Sequence, residues 1–491
     1  MLTNAFCLQH RLFVSQEQSG QCCLNYLPPL MPWVYLYAAR LLPRPLNVRE
    51  IKSDEFDAWL AQNALKDNAC AETVDNMLSE QTFSGLLEAL PQGGIESLED
   101  SEAPVIRLVN TMLQEARTAG ASDIHIETFQ HHFQVRYRID GVMREISRGD
   151  SRLGAPLISR LKIMARLDIA ERRLPQDGRF IHSDGDREID VRLSIIPVNH
   201  GERAVMRLLD QCQLPGDFSS LGMPETMAKY LRHVIARPHG IVLVTGPTGS
   251  GKSSTLYTCL QQLNQSNRTL LTIEDPVEYK LPGVGQTQVN SRINLDFARG
   301  LRAILRQDPD VVMIGEIRDT ETAKVAVQAS LTGHLVFSTL HTNSAAGAVA
   351  RLCDMGVEPW LLASSLSALV AQRLVRKLCP HCREARPVNQ QERRWLQLDE
   401  DEVPTTVIYH PVGCEQCNQQ GYAGRVGIFE LILLNTALRE LIQQRASTEE
   451  LTRCARRSLA GIDDDARRKV LAGITSFAEA TRVIEDREEK V

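Results

Sequence analysis

Aromatic side chains are scarce in this chain, at 5% of 491 residues. Proteins that hold single-stranded nucleic acid by stacking bases on rings need more of them. An excess of basic charge is also missing: 55 Lys and Arg face 61 Asp and Glu, for a net charge of −6. Nucleic-acid binders usually carry a basic face, so no nucleic-acid partner is expected. Low-complexity tracts and internal repeats are not found. Long apolar runs are nearly absent, and CCLNYLPPLMPWVYLYAARLLP, from Cys22, is the stretch nearest membrane length. Pro28, Pro29 and Pro32 interrupt it, and each proline removes an N–H donor and clashes with the preceding helical turn. The stretch therefore reads as part of a small folded domain, and any membrane role runs through a partner. No secretory leader is seen, so the 12 cysteines read as thiols and metal ligands rather than disulfides. Eight of them (Cys7, Cys22, Cys23, Cys70, Cys212, Cys259, Cys353, Cys454) are scattered and read as buried thiols.

What is present describes a soluble cytosolic protein of mixed α/β class. Hydrophobic residues at 43% and charged residues at 24% are ordinary for globular chains, and the length exceeds one core, predicting two to four domains. Residues 1–90 read as a small N-terminal, partner-binding domain, with a helix over SDEFDAWLAQNAL capped by Ser53. PQGGIESLEDSEAP supplies a linker over 91–103. In 104–222 a helix buries Val105, Leu108, Val109, Met112 and Leu113 as one stripe and stops at Gly120. Strands DIHIE, HFQVRYRI, VMREI and REIDVRLSIIPV follow, with a hairpin turn at Asp140-Gly141. From 223 to 491, the strands GIVLVT, TLLTIE, DVVMIG and HLVFSTL alternate with helical stretches, which predicts a parallel sheet with crossover helices.

GPTGSGKSS fills positions 246–254 between an apolar strand and a helix, the context a phosphate loop requires. Its glycines let the backbone wrap phosphates, so that N–H groups and the helix N-terminus face negative charge. The expected nucleotide contacts are Gly246, Pro247, Thr248, Gly249, Ser250, Gly251, Lys252, Ser253 and Ser254. Lys252 reaches the β- and γ-phosphates of ATP and the Ser253 hydroxyl holds Mg²⁺. Two acidic strand ends follow: TIEDPVEY carries Glu274, Asp275 and Glu278, and VVMIGEIRD carries Glu316. Carboxylates at the C-terminal ends of parallel strands converge on the ligand crevice. Glu274 is assigned to polarising the attacking water and Glu316 to the metal-linked role, and the two assignments are exchangeable. Between these strands, Arg299, Arg302 and Arg306 share one helical face, placed to offer guanidinium groups to a γ-phosphate. LTGHLVFSTLHTN sets His334 and His341 around an apolar strand, with Thr332 and Thr339 nearby, as a relay sensing phosphate.

These four stretches occur in the order of the Walker A, Asp box, Walker B and His box. Together they resemble the secretion ATPases of the type II/type IV pilus family over 104–491. The resemblance implies a RecA-like P-loop motor domain preceded by a PAS-like α+β domain, assembled as a homohexameric ring in which a guanidinium completes a neighbour's site. It also implies that Arg192 and Arg207 reach the nucleotide from the second domain, with Arg425 a weaker candidate. Ser254 stands where relatives often have threonine and keeps the hydroxyl.

CPHC at 379–382 and CEQC at 414–417 form two C-x-x-C knuckles. Cys379, Cys382, Cys414 and Cys417 suit a tetrahedral, structural Zn²⁺ in a metal subdomain over 373–420, with His381 a bystander. Within the family, retraction motors generally lack this quartet, and pilus assembly motors usually carry a longer N-terminal region. Both features favour the type II secretion branch, whose hydrolysis drives pseudopilus assembly and protein export beneath inner-membrane partners. That branch implies a cytoplasmic protein, peripheral on the bacterial inner membrane. The alternatives are a type IV pilus assembly or DNA-uptake motor and, from another class, a helicase-like motor.

Overall fold

A computed structural model describes residues 12–16, 22–28, 31, 34–35, 46–51, 82–88, 103–184, 187–210, 216–399 and 406–485. The helix expected over 53–65, the linker up to residue 102, most of the apolar stretch after Pro28, and Cys7, Cys70 and Cys212 lie outside the described residues. The chain divides into two compact units, Met1–Pro91 and Gln92–Val491. The first contains a three-stranded sheet of β1 (Leu12–Gln16), β2 (Cys22–Tyr26) and β3 (Leu46–Glu50), with β1 antiparallel and β3 parallel to β2. A short helix, α1 (Phe83–Glu88), buries Phe83 and Leu87. Among the described residues no helix is long and apolar enough to cross a membrane.

The second unit opens with α2 (Ala103–Thr118), which buries Val105, Leu108, Val109, Met112 and Leu113 on one stripe. Gly120 follows it at φ 66°, a left-handed value that stops a helix at little steric cost. A six-stranded antiparallel sheet then runs in the order β6-β5-β4-β9-β8-β7. Its members are β4 (Ala121–Thr128), β5 (His132–Ile139), β6 (Val142–Asp150), β7 (Gln176–Asp184), β8 (Arg187–Val198) and β9 (Gly201–Asp210). Helix α3 (Gly154–Met164) links its two halves. Asp140 (φ 49°) and Gly141 (φ 83°) both take positive φ between β5 and β6, as a tight hairpin turn demands.

A seven-stranded sheet carries the rest, in the order β12-β11-β13-β14-β10-β15-β18. Six strands run parallel: β10 (Gly240–Thr245), β11 (Leu270–Glu274), β12 (Gly285–Gln288), β13 (Val311–Ile314), β14 (Leu335–Leu340) and β15 (Leu366–Leu378). β18 (Tyr422–Leu433) returns antiparallel at the edge. Helices cover both faces, which explains why GIVLVT is apolar throughout rather than alternating. Ile241 and Leu243 enter a core with α6 (Phe297–Ile304), α7 (Thr320–Leu331) and α8 (Ala345–Asp354). Val242 and Val244 enter the opposite core, with α4 (Glu225–Ile235) and α5 (Lys252–Leu263).

Strands β15 and β18 run on into a smaller core of Val375, Val388, Leu396, Ile408, Ile428, Ile462 and Val470. Around it lie a two-stranded ribbon, β16 (Glu384–Pro387) with β17 (Val407–His410), and the helices α9 (Gln390–Leu396), α10 (Ile462–Leu471) and α11 (Phe477–Glu485).

Candidate functional site

The loop at 246–251 leaves the buried end of β10 and enters α5 at Lys252. Gly246, Gly249 and Gly251 hold φ of 151°, 77° and 85°. At Gly246 space forbids a side chain as well, since an added Cβ would lie 2.3 Å from the Gln372 carbonyl. Gly251 caps α5 without a side-chain acceptor, so the first-turn N–H groups and the positive helix end remain for an anion. Ser250 Oγ is buried with no hydrogen-bond partner among the described residues. The donor set and its orphaned hydroxyl fit a phosphate chain. Lys252 Nζ donates to the Gly246 and Pro247 carbonyls at 2.8 and 3.0 Å. Burial pulls its pKa down to about 8, and the nearby Glu316 charge opposes that drop.

Sheet order brings the acidic groups to the same edge, because β11, β13, β14 and β10 are consecutive neighbours and run parallel. Glu316, just past β13, accepts from His341 Nε2 at 3.1 Å and pairs with Arg318. Arg318 also lies 3.9 Å from Asp275. The base of the loop is tied to the segment after His341, since Thr342 N donates to Thr245 Oγ1 at 3.1 Å. Glu274, at the end of β11, is only 4% exposed. It accepts from the Tyr257 hydroxyl, from Thr272 Oγ1 at 2.6 Å and from Gln286 Nε2 at 3.1 Å. A carboxylate offers about four lone-pair sites, so these three donors leave Glu274 one.

The histidines separate. His341 joins the Glu316 cluster, whereas His334 sits at the opposite end of β14, beside the start of β10, where its carbonyl accepts from Gly240 N. A six-residue strand puts them roughly 20 Å apart. Within one chain they form no relay; His334 Nδ1 contacts Ala329 O at 2.9 Å and Thr332 Oγ1 at 3.2 Å. The arginine face is exposed as its spacing implies, but its contacts are local. Arg302 pairs with Glu321, Arg306 donates to Arg302 O, and Arg299 donates to Asn294 O. From the second domain, Arg192 reaches Glu278 at 3.2 Å and the Val277 carbonyl at 3.4 Å. Arg207, its cross-strand neighbour, pairs with Asp123 at 3.0 Å, and Arg425 lies 3.4 Å from Asp140.

The four knuckle cysteines converge, with all sulfurs within 4.8 Å of one another. Neighbouring sulfurs lie 3.9, 3.7 and 3.7 Å apart. A tetrahedron with ~2.3 Å metal–sulfur bonds spaces its ligands by about 3.8 Å. Backbone N–H groups of Gly413 and Gly421 point at Cys382 and Cys417 at 3.3 and 3.1 Å, which favours thiolates. His381 is exposed and outside the cluster.

Sequence reasoning passed over several groups. Arg318 had a signal, lying two residues past Glu316 in GEIRD. Tyr257, Gln286 and Gln372 had none, because long-range packing alone brings them to the loop and acids. A cleft beside the loop is also walled by Arg373, Arg376, Glu479 and Arg482 from the chain's last third.

Comparison with known proteins agrees with this geometry. The family described as Type II/IV secretion system protein matches residues 98–482. The type II secretion system protein E of Aeromonas hydrophila is 50% identical over 471 residues, covering 96% of this chain and 94% of that protein. The type II secretion system ATPase E of Vibrio cholerae is 50% identical over 474 residues, covering 96% and 93%. Among solved structures, the pilus retraction motor PilT with bound ADP superposes at TM-score 0.52 with 26% identity, covering 76% of this chain and 96% of that one. The Legionella pneumophila ATPase DotB shares the fold at TM-score 0.57 and 23% identity, covering 77% and 96%. On the family match and these near-full-length relatives, the chain belongs to the Type II/IV secretion system protein family.

Proposed function

We propose that this chain is the ATP-hydrolysing motor of a type II secretion system, driving pseudopilus assembly and protein export. The observation that carries the reading is a complete phosphate loop between β10 and the helix that Lys252 opens, with Glu316 following a parallel strand of the same sheet. That loop sits in a chain half identical, over nearly its full length, to proteins named for type II secretion. The loop N–H groups, Ser250 and Lys252 bind the phosphates of ATP, with Ser253 and Glu316 toward Mg²⁺. Magnesium, when bound, neutralises charge on the β- and γ-phosphates. Glu274, with its single remaining acceptor site, orients the attacking water in this reading, and Glu316 is the alternate for that role. His341 holds Glu316 in place. Arg192 ties the second domain to the 275–278 loop and, with Arg207, approaches the nucleotide.

The motor works as a homohexamer in which Arg302 and Arg306 serve a neighbouring subunit. The cysteine quartet binds Zn²⁺, which when bound clamps the two knuckles. The N-terminal domain over 1–90 and the metal subdomain over 373–420 contact inner-membrane components from the cytoplasmic side. The test is hydrolysis by the purified full chain together with secretion by cells that carry it in place of their own motor. Lys252→Ala should abolish both while the protein still melts cooperatively, because Lys252 meets phosphate charge rather than filling a core. Near-normal turnover by that variant would sink the motor assignment.

A further inference from the structure

Tyr257 lies on α5, the helix opened by Lys252, and is completely buried. Its ring packs edge-on against Tyr279, with centroids 5.7 Å apart, and its hydroxyl leaves that apolar setting to reach Glu274 and Glu278. It donates to the Glu274 Oε2 carboxylate oxygen and accepts from the backbone N–H of Glu278 at 3.2 Å. Glu278 in turn holds Arg192 of the second domain at 3.2 Å. One hydroxyl therefore joins the phosphate-loop helix, the acid at the end of β11 and the loop that the second domain grips. Thr272 and Gln286 hold the other oxygen, Oε1, alone. Without the phenol, Oε2 loses its donor, and the carboxylate is held through Oε1 alone.

We infer that Tyr257 is a positioning residue for ATP hydrolysis, fixing the Glu274 carboxylate and the 275–278 loop against the phosphate-loop helix. The inference rests on the motor reading above and deepens it. Burial, and then the Glu274 charge, hold the phenol's pKa well above its usual value, so the hydroxyl keeps its proton throughout the working range. A donor on Oε2 fixes which direction the remaining lone-pair site faces. The hydroxyl is committed to Glu274 and to the Glu278 N–H rather than to the loop at 246–251, so its removal should be felt when water must be aligned rather than when ATP binds.

The experiment uses the full chain and three variants, Tyr257→Phe, Glu274→Gln and the double mutant, with steady-state ATP hydrolysis and thermal melting of each. Phenylalanine keeps the ring and removes the hydroxyl alone. Tyr257→Phe should lower kcat about 10- to 100-fold with KM within about twofold, the pattern of a misaligned reacting group. In the double mutant kcat should be no lower than in Glu274→Gln, because Tyr257 acts through that carboxylate. A purely structural role would instead multiply the two losses, and that result overturns the inference. So does wild-type kcat in Tyr257→Phe, a rise in KM matching the fall in kcat/KM, or loss of the cooperative melt. Wild-type protein with no hydrolysis would overturn the motor reading itself and the inference with it. Wild-type turnover with an unaffected Tyr257→Phe overturns the inference alone.

Discussion

Lys252 shows how one residue's environment becomes a measurable dependence on pH. The residue is 9% exposed, and its ammonium rests on two loop carbonyls. Desolvation disfavours the charged form and brings the pKa to about 8, against the partial opposition of Glu316. Phosphates arriving at the loop favour the charged form and raise that pKa in the complex. Below pH 8 the free protein already carries the proton. Above it, binding must draw a proton from solvent, so ATP affinity should fall by up to about tenfold per pH unit. Titration with ATP at several pH values, in buffers of different ionisation heat, reads both the fall and the proton taken up. The Lys252→Arg variant keeps its charge across this range, so its affinity should stay flat above pH 8. A steep fall there would assign the titration to another group.

The phosphate loop and the cysteine knuckles were legible as elements because each is a short contiguous string whose chemistry depends on local backbone. The parallel sheet was legible too, since strands buried on both faces read as continuous apolar runs. The placement of His334 was readable in principle, because residues flanking one strand necessarily sit at its two ends. The partners of Glu274 were not readable. Thr272 lies two residues away, but Tyr257 and Gln286 arrive from α5 and β12 through packing. The knuckles carry their own prediction. Their sulfurs stand at tetrahedral spacing, so the purified protein should hold about one Zn²⁺ per chain. Cys382→Ser removes one ligand and should release the metal and increase hydrogen exchange over 373–420, because ligation and local folding are coupled. The loop at 246–253 should still bind ATP, and secretion should fail if this subdomain meets the membrane platform. A metal-free wild-type protein with four freely reactive thiols would refute the site.

At the scale of the whole molecule, the arginine face of α6 poses a problem of geometry. Arg302 and Arg306 are exposed, and their contacts go to Glu321 and to the helix's own backbone rather than to the loop at 246–251. A guanidinium that serves hydrolysis from such a position does so across a subunit boundary, where it meets charge developing on a γ-phosphate held by the adjacent copy. The neighbour must then be near, and turnover should rise more steeply than protein concentration in the range where rings form. Arg302→Ala should lower kcat by as much as ~10³-fold if the residue acts as an arginine finger. Glu316→Gln, defective in its own site, still offers an intact Arg302 to the next subunit. Mixing the two inactive proteins under ring-forming conditions should therefore restore part of the activity. Some boundaries then join an intact acid cluster from one variant with an intact arginine from the other. Titrating one variant against the other should give a bell-shaped curve with its maximum near equal amounts. If every mixture stays as inactive as its components while rings form, the arginines act within their own chain or only pack, and the trans account fails.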